Sequence, residues 1–214
     1  SDKMEQFLAD ELTESVGAQR QWRIIGNQSV MAKRTAPKLD EPYFAALRNT
    51  LDDGAKSMLD GLLKHGEFNL PLDLDSWNGY PGARESFYQI SKEAGVRDLL
   101  VLAGDSHSFW QDELYDDAGT AMGVELGATG ITSPRSLLDL GPDGLARFDE
   151  LNAANNDEVV WTDGRHRGYI RLQIDHDRVH ADFVSVSNVE SREFDTEIVR
   201  SVDIESSDGT LRYV

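Results

Sequence analysis

An aspartate and a histidine stand two positions apart in LLVLAGDSHSFW, the stretch from Leu99 to Trp110. A carboxylate oxygen and a neutral imidazole nitrogen are ordinary ligands for zinc, iron or manganese. In extended backbone, side chains two residues apart point the same way. Asp105 and His107 are therefore expected to converge on one point beyond the end of an apolar run. Gly104 would let the chain turn sharply there. A catalytic metal takes at least three protein ligands, so the pair does not complete a site. Taken alone, the pair also reads as an acid capping a turn with a histidine packed beside Trp110.

The run that carries the pair, Leu99–Ala103, reads as a buried strand. Before it, Pro81 suits the first turn of a helix. Ala83, Phe87, Ile90 and Ala94 then form one apolar stripe, and Gly95 is placed to end it. Helix, short link and buried strand are the unit of an α/β protein. Open α/β sheets bind ligands at the carboxyl ends of their strands, which is where the pair would sit.

Other elements are read the same way. Met4, Phe7, Leu8 and Leu12 recur at helical spacing. Trp22, Ile24, Ile25, Val30 and Met31 predict a strand interrupted near Gly26. Phe44, Leu47 and Leu51 predict one helix, and Met58, Leu59, Leu62 and Leu63 another. Residues Ala121–Leu126 predict a strand, while residues 135–165 are weakly patterned. The end is β-rich: Ile170, Leu172 and Ile174 alternate, as do Val179, Ala181 and Phe183. Asp208-Gly209 marks a hairpin before Thr210–Val214.

Composition narrows the function. The chain has 214 residues, 39 acidic and 21 basic, for a net charge of -18. That field repels nucleic acid and anionic membranes, so no nucleic-acid-binding patch is expected, and an anionic substrate needs a local positive centre. There is no cysteine, which excludes disulfides, thiol catalysis and cysteine-based metal sites. No apolar run approaches a membrane span. The opening SDKMEQFLADEL does not read as a signal peptide.

Several segments, in order along nearly the whole chain, resemble the C-terminal half of the alkaline phosphatase D (PhoD-like) family of calcineurin-like metallophosphoesterases. MEQFLADELTESVGAQRQWRIIGNQSVMA is similar to its helix followed by W-[KR]-[VI]-[IL]-G-N-Q. SWNGYPGAR resembles its W-D-G-Y-P block, and LLVLAGDSHSFWQDEL its G-D-x-H-x-x-W block. VELGATGITSPRS resembles its I-T-S-P block, and HRGYIRLQIDHDRVHADF its closing G-Y strand pair. The resemblance implies an α/β fold, the C-terminal half of a four-layer α/β/β/α sandwich with a β-rich end. It implies a two-metal centre that hydrolyses phosphate monoesters and diesters, with calcium, iron, zinc and manganese all open. By the same resemblance Asp105 and His107 are metal ligands, and an extracytoplasmic home is expected. No further catalytic residue is assignable.

Three departures qualify that picture. The family's earlier metal motifs are missing, Asn78 stands where Asp is usual, and Gly130 stands where a hydroxyl is common. The expectation is a single domain, residues 1–214, forming the C-terminal portion of a larger phosphatase domain and inactive alone. Its partners would be a phosphate ester, the missing N-terminal half and a second copy of itself. The competing reading is a non-catalytic β-rich binding domain derived from the same frame; another is half-site assembly with a second chain.

Among other residues, Thr132, Ser133 and Arg135 would suit phosphate oxygens, with a Pro134-stabilised turn as the alternative. His166, between Arg165 and Arg167, forms the one compact basic cluster in the sequence, and such clusters are usually solvated. Asp52-Asp53, the acids at 73–75 and Asp116-Asp117 read as solvated loops. Trp77 and Tyr80 read as loop packing, and Asn27 as a turn residue.

Overall fold

The computed structural model describes residues 2–39, 41–130, 133 and 137–214. Its centre is the apolar run already singled out. Strand β2 (Leu99–Ala103) pairs in parallel with β1 (Arg23–Gly26) on one side and β4 (Ala121–Gly127) on the other. Strand β3 (Phe109–Tyr115) runs antiparallel to β4 and to β5 (Val159–Asp163), giving the order β1-β2-β4-β3-β5. The carboxyl ends of β1, β2, β4 and β5 therefore share one edge with the start of β3.

Leu99, Leu100 and Val101 are completely buried because both faces of this sheet are covered. One face carries Leu99, Val101, Leu114 and Met122 against α1 (Asp2–Gly17) and α4 (Pro81–Glu93), which contribute Leu12 and Tyr88. Helix α4 forms where the stripe requires it, with Pro81 in its first turn and Gly95 at φ +80° just past its end. The other face carries Leu100, Phe109, Val124 and Leu126 against a second sheet. Each such side chain contributes about 1.5–3 kcal/mol by leaving water.

The second sheet is antiparallel, in the order β6 (Arg167–Ile174), β7 (Arg178–Val186), β8 (Thr196–Ser207) and β9 (Thr210–Tyr213). Phe183 on β7 meets Phe109 edge-on at 5.5 Å and Trp161 at 5.1 Å, joining the two sheets. Asp208 and Gly209 both take positive φ, as a two-residue hairpin of this type demands. Helices α2 (Glu41–Arg48), α3 (Asp53–Glu67) and α5 (Gly141–Asn155) pack through Phe44, Leu59, Leu145 and Phe148 into a third cluster. No helix among the described residues is long and apolar enough to cross a membrane.

The mixed α/β class holds. On the outer face of the second sheet Arg171, His180 and Ser201 bond Asp182, and His180 also bonds Asp203. Three details differ from the sequence reading. The weakly patterned stretch 135–165 contains α5 and β5; Gly141, Pro142 and Gly144 at the start of α5 hide its period. Strand β3 escaped notice because Gln111 and Asp112 are buried within it. The stretch after Gly26 is not a continuing strand: β1 ends there and residues 29–36 run irregularly through the interior.

Candidate functional site

The chain leaves β2 at Ala103 and crosses to β3 through Gly104–Ser108, at the carboxyl edge of the sheet. The backbone here is not extended. Asp105 has φ +66° and His107 φ +57°, both left-handed, with Ser106 between them. This conformation is uncommon for residues with a Cβ, and Asp is one of the types that tolerates it best. Gly104 is not the positive-φ residue; the turn is made by the two candidate ligands. Strand alternation therefore does not bring the pair together. Left-handed backbone at both residues, on either side of Ser106, does, and both line one hollow of about 390 Å³. Asp105 is exposed and His107 half-buried.

Ser106 pins the loop. Its N–H donates to Gly104 O at 2.8 Å, and its hydroxyl accepts the Trp110 indole N–H at 2.6 Å. Trp110 is the first residue of β3 whose ring faces the hollow, and the Arg34 guanidinium lies 4.3 Å from its ring centre.

Arg34 reaches that point from the irregular segment after β1. Buried backbone N–H groups there need acceptors, and no ladder supplies them. Side chains do. Glu125 on β4 accepts from Met31 at 2.8 Å and Ala32 at 3.0 Å. Glu158 accepts from Lys33 at 2.7 Å, Asn78 from Arg34 at 2.8 Å and Asn156 from Thr35 at 2.7 Å. Burial pushes the Glu125 carboxyl up to about 7, against the pull of its two amide donors. Asn78 also donates to the Ser76 hydroxyl at 3.1 Å, which an ionised Asp cannot do.

Two further acids adjoin the hollow. Asp149, on α5, lines it and accepts the Gly164 N–H at 3.0 Å. Burial raises its carboxyl to about 7. Asp163, at the end of β5, is 1% exposed and accepts the N–H groups of Arg165 at 2.7 Å and His166 at 3.1 Å. It also bonds the His166 ring at 2.9 Å and Arg165 Nη2 at 3.0 Å. Burial would raise this carboxyl, but its bond to the His166 ring, the Arg165 guanidinium and the amide donors outweigh it and hold it at about 2. The cluster at 165–167 is thus no solvated patch: it neutralises Asp163, while Arg167, itself buried, donates to Thr129 at 3.1 Å.

Thr132 and Arg135 lie outside the described residues. Ser133 is half-buried, and its hydroxyl sits 3.2 Å from where a Gly130 side chain would begin, so Gly130 leaves room for it. Asp116 is not solvated; it is buried, accepting Thr120 N–H at 2.7 Å and Lys92 Nζ at 2.6 Å. Asp52 caps α3 through Ala55 N–H at 2.9 Å. Trp77 packs edge-on to Phe87 at 5.9 Å, Tyr80 is exposed, and Asn27 closes a turn onto Ser29 O at 2.7 Å. Sequence reasoning missed Arg34, Asp149 and Asp163, since none stands in a periodic pattern and each acquires its setting from distant elements.

A metal ion suits the donor set only in part. Asp105 and His107 offer oxygen and nitrogen to one hollow, and no group of three or more His, Cys, Asp or Glu able to hold a metal occurs among the described residues.

Comparison with known proteins agrees with this architecture. A family model described as PhoD-like phosphatase matches residues 2–183. Alkaline phosphatase D of Bacillus subtilis (strain 168) is 31% identical over 114 residues, which is 51% of this chain and 18% of that protein. A solved structure of PhoD aligns with 100% of this chain and 35% of its own, at a TM-score of 0.73 and 22% identity, a likeness of fold. The chain thus spans well under half the length of the relatives it matches.

Proposed function

Because the chain belongs to the PhoD-like phosphatase family, we propose that it forms one wall of a metal-dependent hydrolase site for phosphate monoesters and diesters. The observation that carries this reading is the shared hollow of Asp105 and His107 at the carboxyl end of β2. In this reading Asp105 and His107 hold the metal through a carboxylate oxygen and an imidazole nitrogen. A metal ion there would polarise a phosphoryl oxygen and neutralise charge on the transferring group. The protein's own part is placement: left-handed backbone at both ligands fixes their direction, and the Ser106–Trp110 bond fixes the loop. A net charge of -18 makes such local cations necessary for binding an anionic ester.

Two donors are too few to retain two metals, so the 214 residues turn over poorly until further ligands are supplied by other polypeptide. The test is hydrolysis of p-nitrophenyl phosphate and its bis-ester with calcium, iron, zinc or manganese added. The longer protein should be active and lose activity on His107→Ala, while the 214 residues alone should be nearly inert. Undiminished activity of the longer His107→Ala protein would overturn the assignment.

A further inference from the structure

Arg34 is a buried cation whose guanidinium has a ring contact but no ion-pair partner among the described residues. It is 2% exposed, yet its Nε and Nη2 have no hydrogen-bond acceptor, and no ion pair forms to it among the described residues. Asp112, the buried acid whose charge acts most on Arg34, likewise has no hydrogen-bond donor on either carboxylate oxygen. Burial, with the Glu125 charge nearby, pushes the Asp112 carboxyl well above its ordinary range. Asp112, Glu125 and Asp73 act on Arg34 only through their charge, without a hydrogen bond or ion pair to its guanidinium. A guanidinium does not shed its proton to escape burial. Holding an unpaired charge away from water costs several kcal/mol, and an anion that supplies the absent acceptors offsets that cost.

The chain spends much structure on holding Arg34 in this state. Its N–H is fixed by Asn78, the residues on either side by Glu158 and Asn156, and its guanidinium by the Trp110 ring. Trp110 is itself tied to Ser106, between Asp105 and His107. Arg34 borders the same hollow as that pair, and it is the one Arg or Lys among the described residues lining it. Arg34 also borders a second hollow, but the cations there, Lys33 and Arg84, already face Asp117 and Glu158.

We propose that Arg34 is the anion anchor of the hollow, taking the oxygens of a phosphoryl group bound between it and the Asp105–His107 loop. This rests on the phosphoesterase reading of that hollow. The planar guanidinium matches two phosphate oxygens at once, so the site selects tetrahedral oxyanions over monovalent halides. Stacking on Trp110 leaves the fork oriented before the ligand arrives.

The experiment titrates inorganic phosphate into the 214-residue chain, with and without manganese, following the Arg34 Nε–Hε resonance by NMR. In the wild type that resonance moves saturably with phosphate and not with chloride. Arg34→Lys keeps the charge and loses the fork, and weakens phosphate about tenfold; Arg34→Met weakens it up to about a hundredfold. An immobile Arg34 resonance, no phosphate binding by the wild type, or equal affinity in folded Arg34→Met overturns the proposal. If either variant fails to fold, the wild-type resonance decides alone. Manganese binding is read separately through His107. Arg34-dependent phosphate binding without manganese at His107 keeps the anchor and removes the metal site. Manganese at His107 with phosphate indifferent to Arg34 does the reverse.

Discussion

The Trp110 indole N–H reaches the Ser106 hydroxyl across four residues at 2.6 Å, so the turn bearing both candidate ligands is locked to the strand that follows it. Trp110 is 4% exposed, and its N–H has little water to turn to. Ser106→Ala should therefore cost about 1–3 kcal/mol in urea unfolding and weaken metal binding at the loop, with the sheets otherwise intact by circular dichroism. Unchanged stability would mean that the bond contributes nothing to the loop's placement.

Glu125 is the largest single support of the segment that delivers Arg34, since of the acceptors serving that segment it takes two successive amides. Glu125→Ala leaves both N–H groups buried and unpaired, and should destabilise the chain by about 2–5 kcal/mol. Glu125→Gln keeps one acceptor oxygen and should fall between the two. Both are measured by chemical denaturation, and a loss under about 1 kcal/mol for Glu125→Ala would contradict the clamp.

Acid and base titration should act in opposite directions. The Asp163 carboxyl is held at about 2, below its ordinary value, so its contribution is present above pH ~4 and disappears as pH falls through about 2. That contribution is about 2 kcal/mol. Asp149 is raised to about 7, so the folded state favours its protonated form. Its contribution is complete at low pH and is lost as pH climbs from about 4 through about 7. Glu125, also at about 7, adds in the same sense. Urea midpoints should rise from about pH 2 to about pH 4 and then decline toward neutrality, and Asp149→Asn should flatten part of that decline. A wild-type midpoint that rises steadily to neutral pH would contradict this placement of Asp149.

The parts of this fold that could be read from the chain are those with unbroken periodicity. Strand β2 and helix α4 carry uninterrupted apolar patterns, and α4 ends where Gly95 permits. The Asp208-Gly209 hairpin follows from local turn chemistry. What stayed hidden depends on partners far along the chain. Gln111 sits in β3 because Arg200, 89 residues away, donates to it at 2.5 Å. The irregular segment at 31–35 is stable only because Glu125, Glu158, Asn78 and Asn156 come to it from separations of 44 to 125 residues. For the site, the residue types and their position after β2 were legible, but the means of convergence was not. Left-handed backbone at Asp105 and His107, rather than strand alternation, turns both toward the hollow. Asn78, a departure from the family's Asp, gains its role from the Arg34 N–H and the Ser76 hydroxyl.

The most direct test is a manganese titration of the uniformly labelled chain, read as paramagnetic broadening of its NMR signals. The account predicts that the His107 imidazole and the Asp105–His107 amides broaden first, together and saturably, and that Asp105→Asn or His107→Ala weakens the effect at least about tenfold. Broadening that begins away from this hollow, for instance at Asp52 and Asp53, while His107 stays sharp, would contradict it.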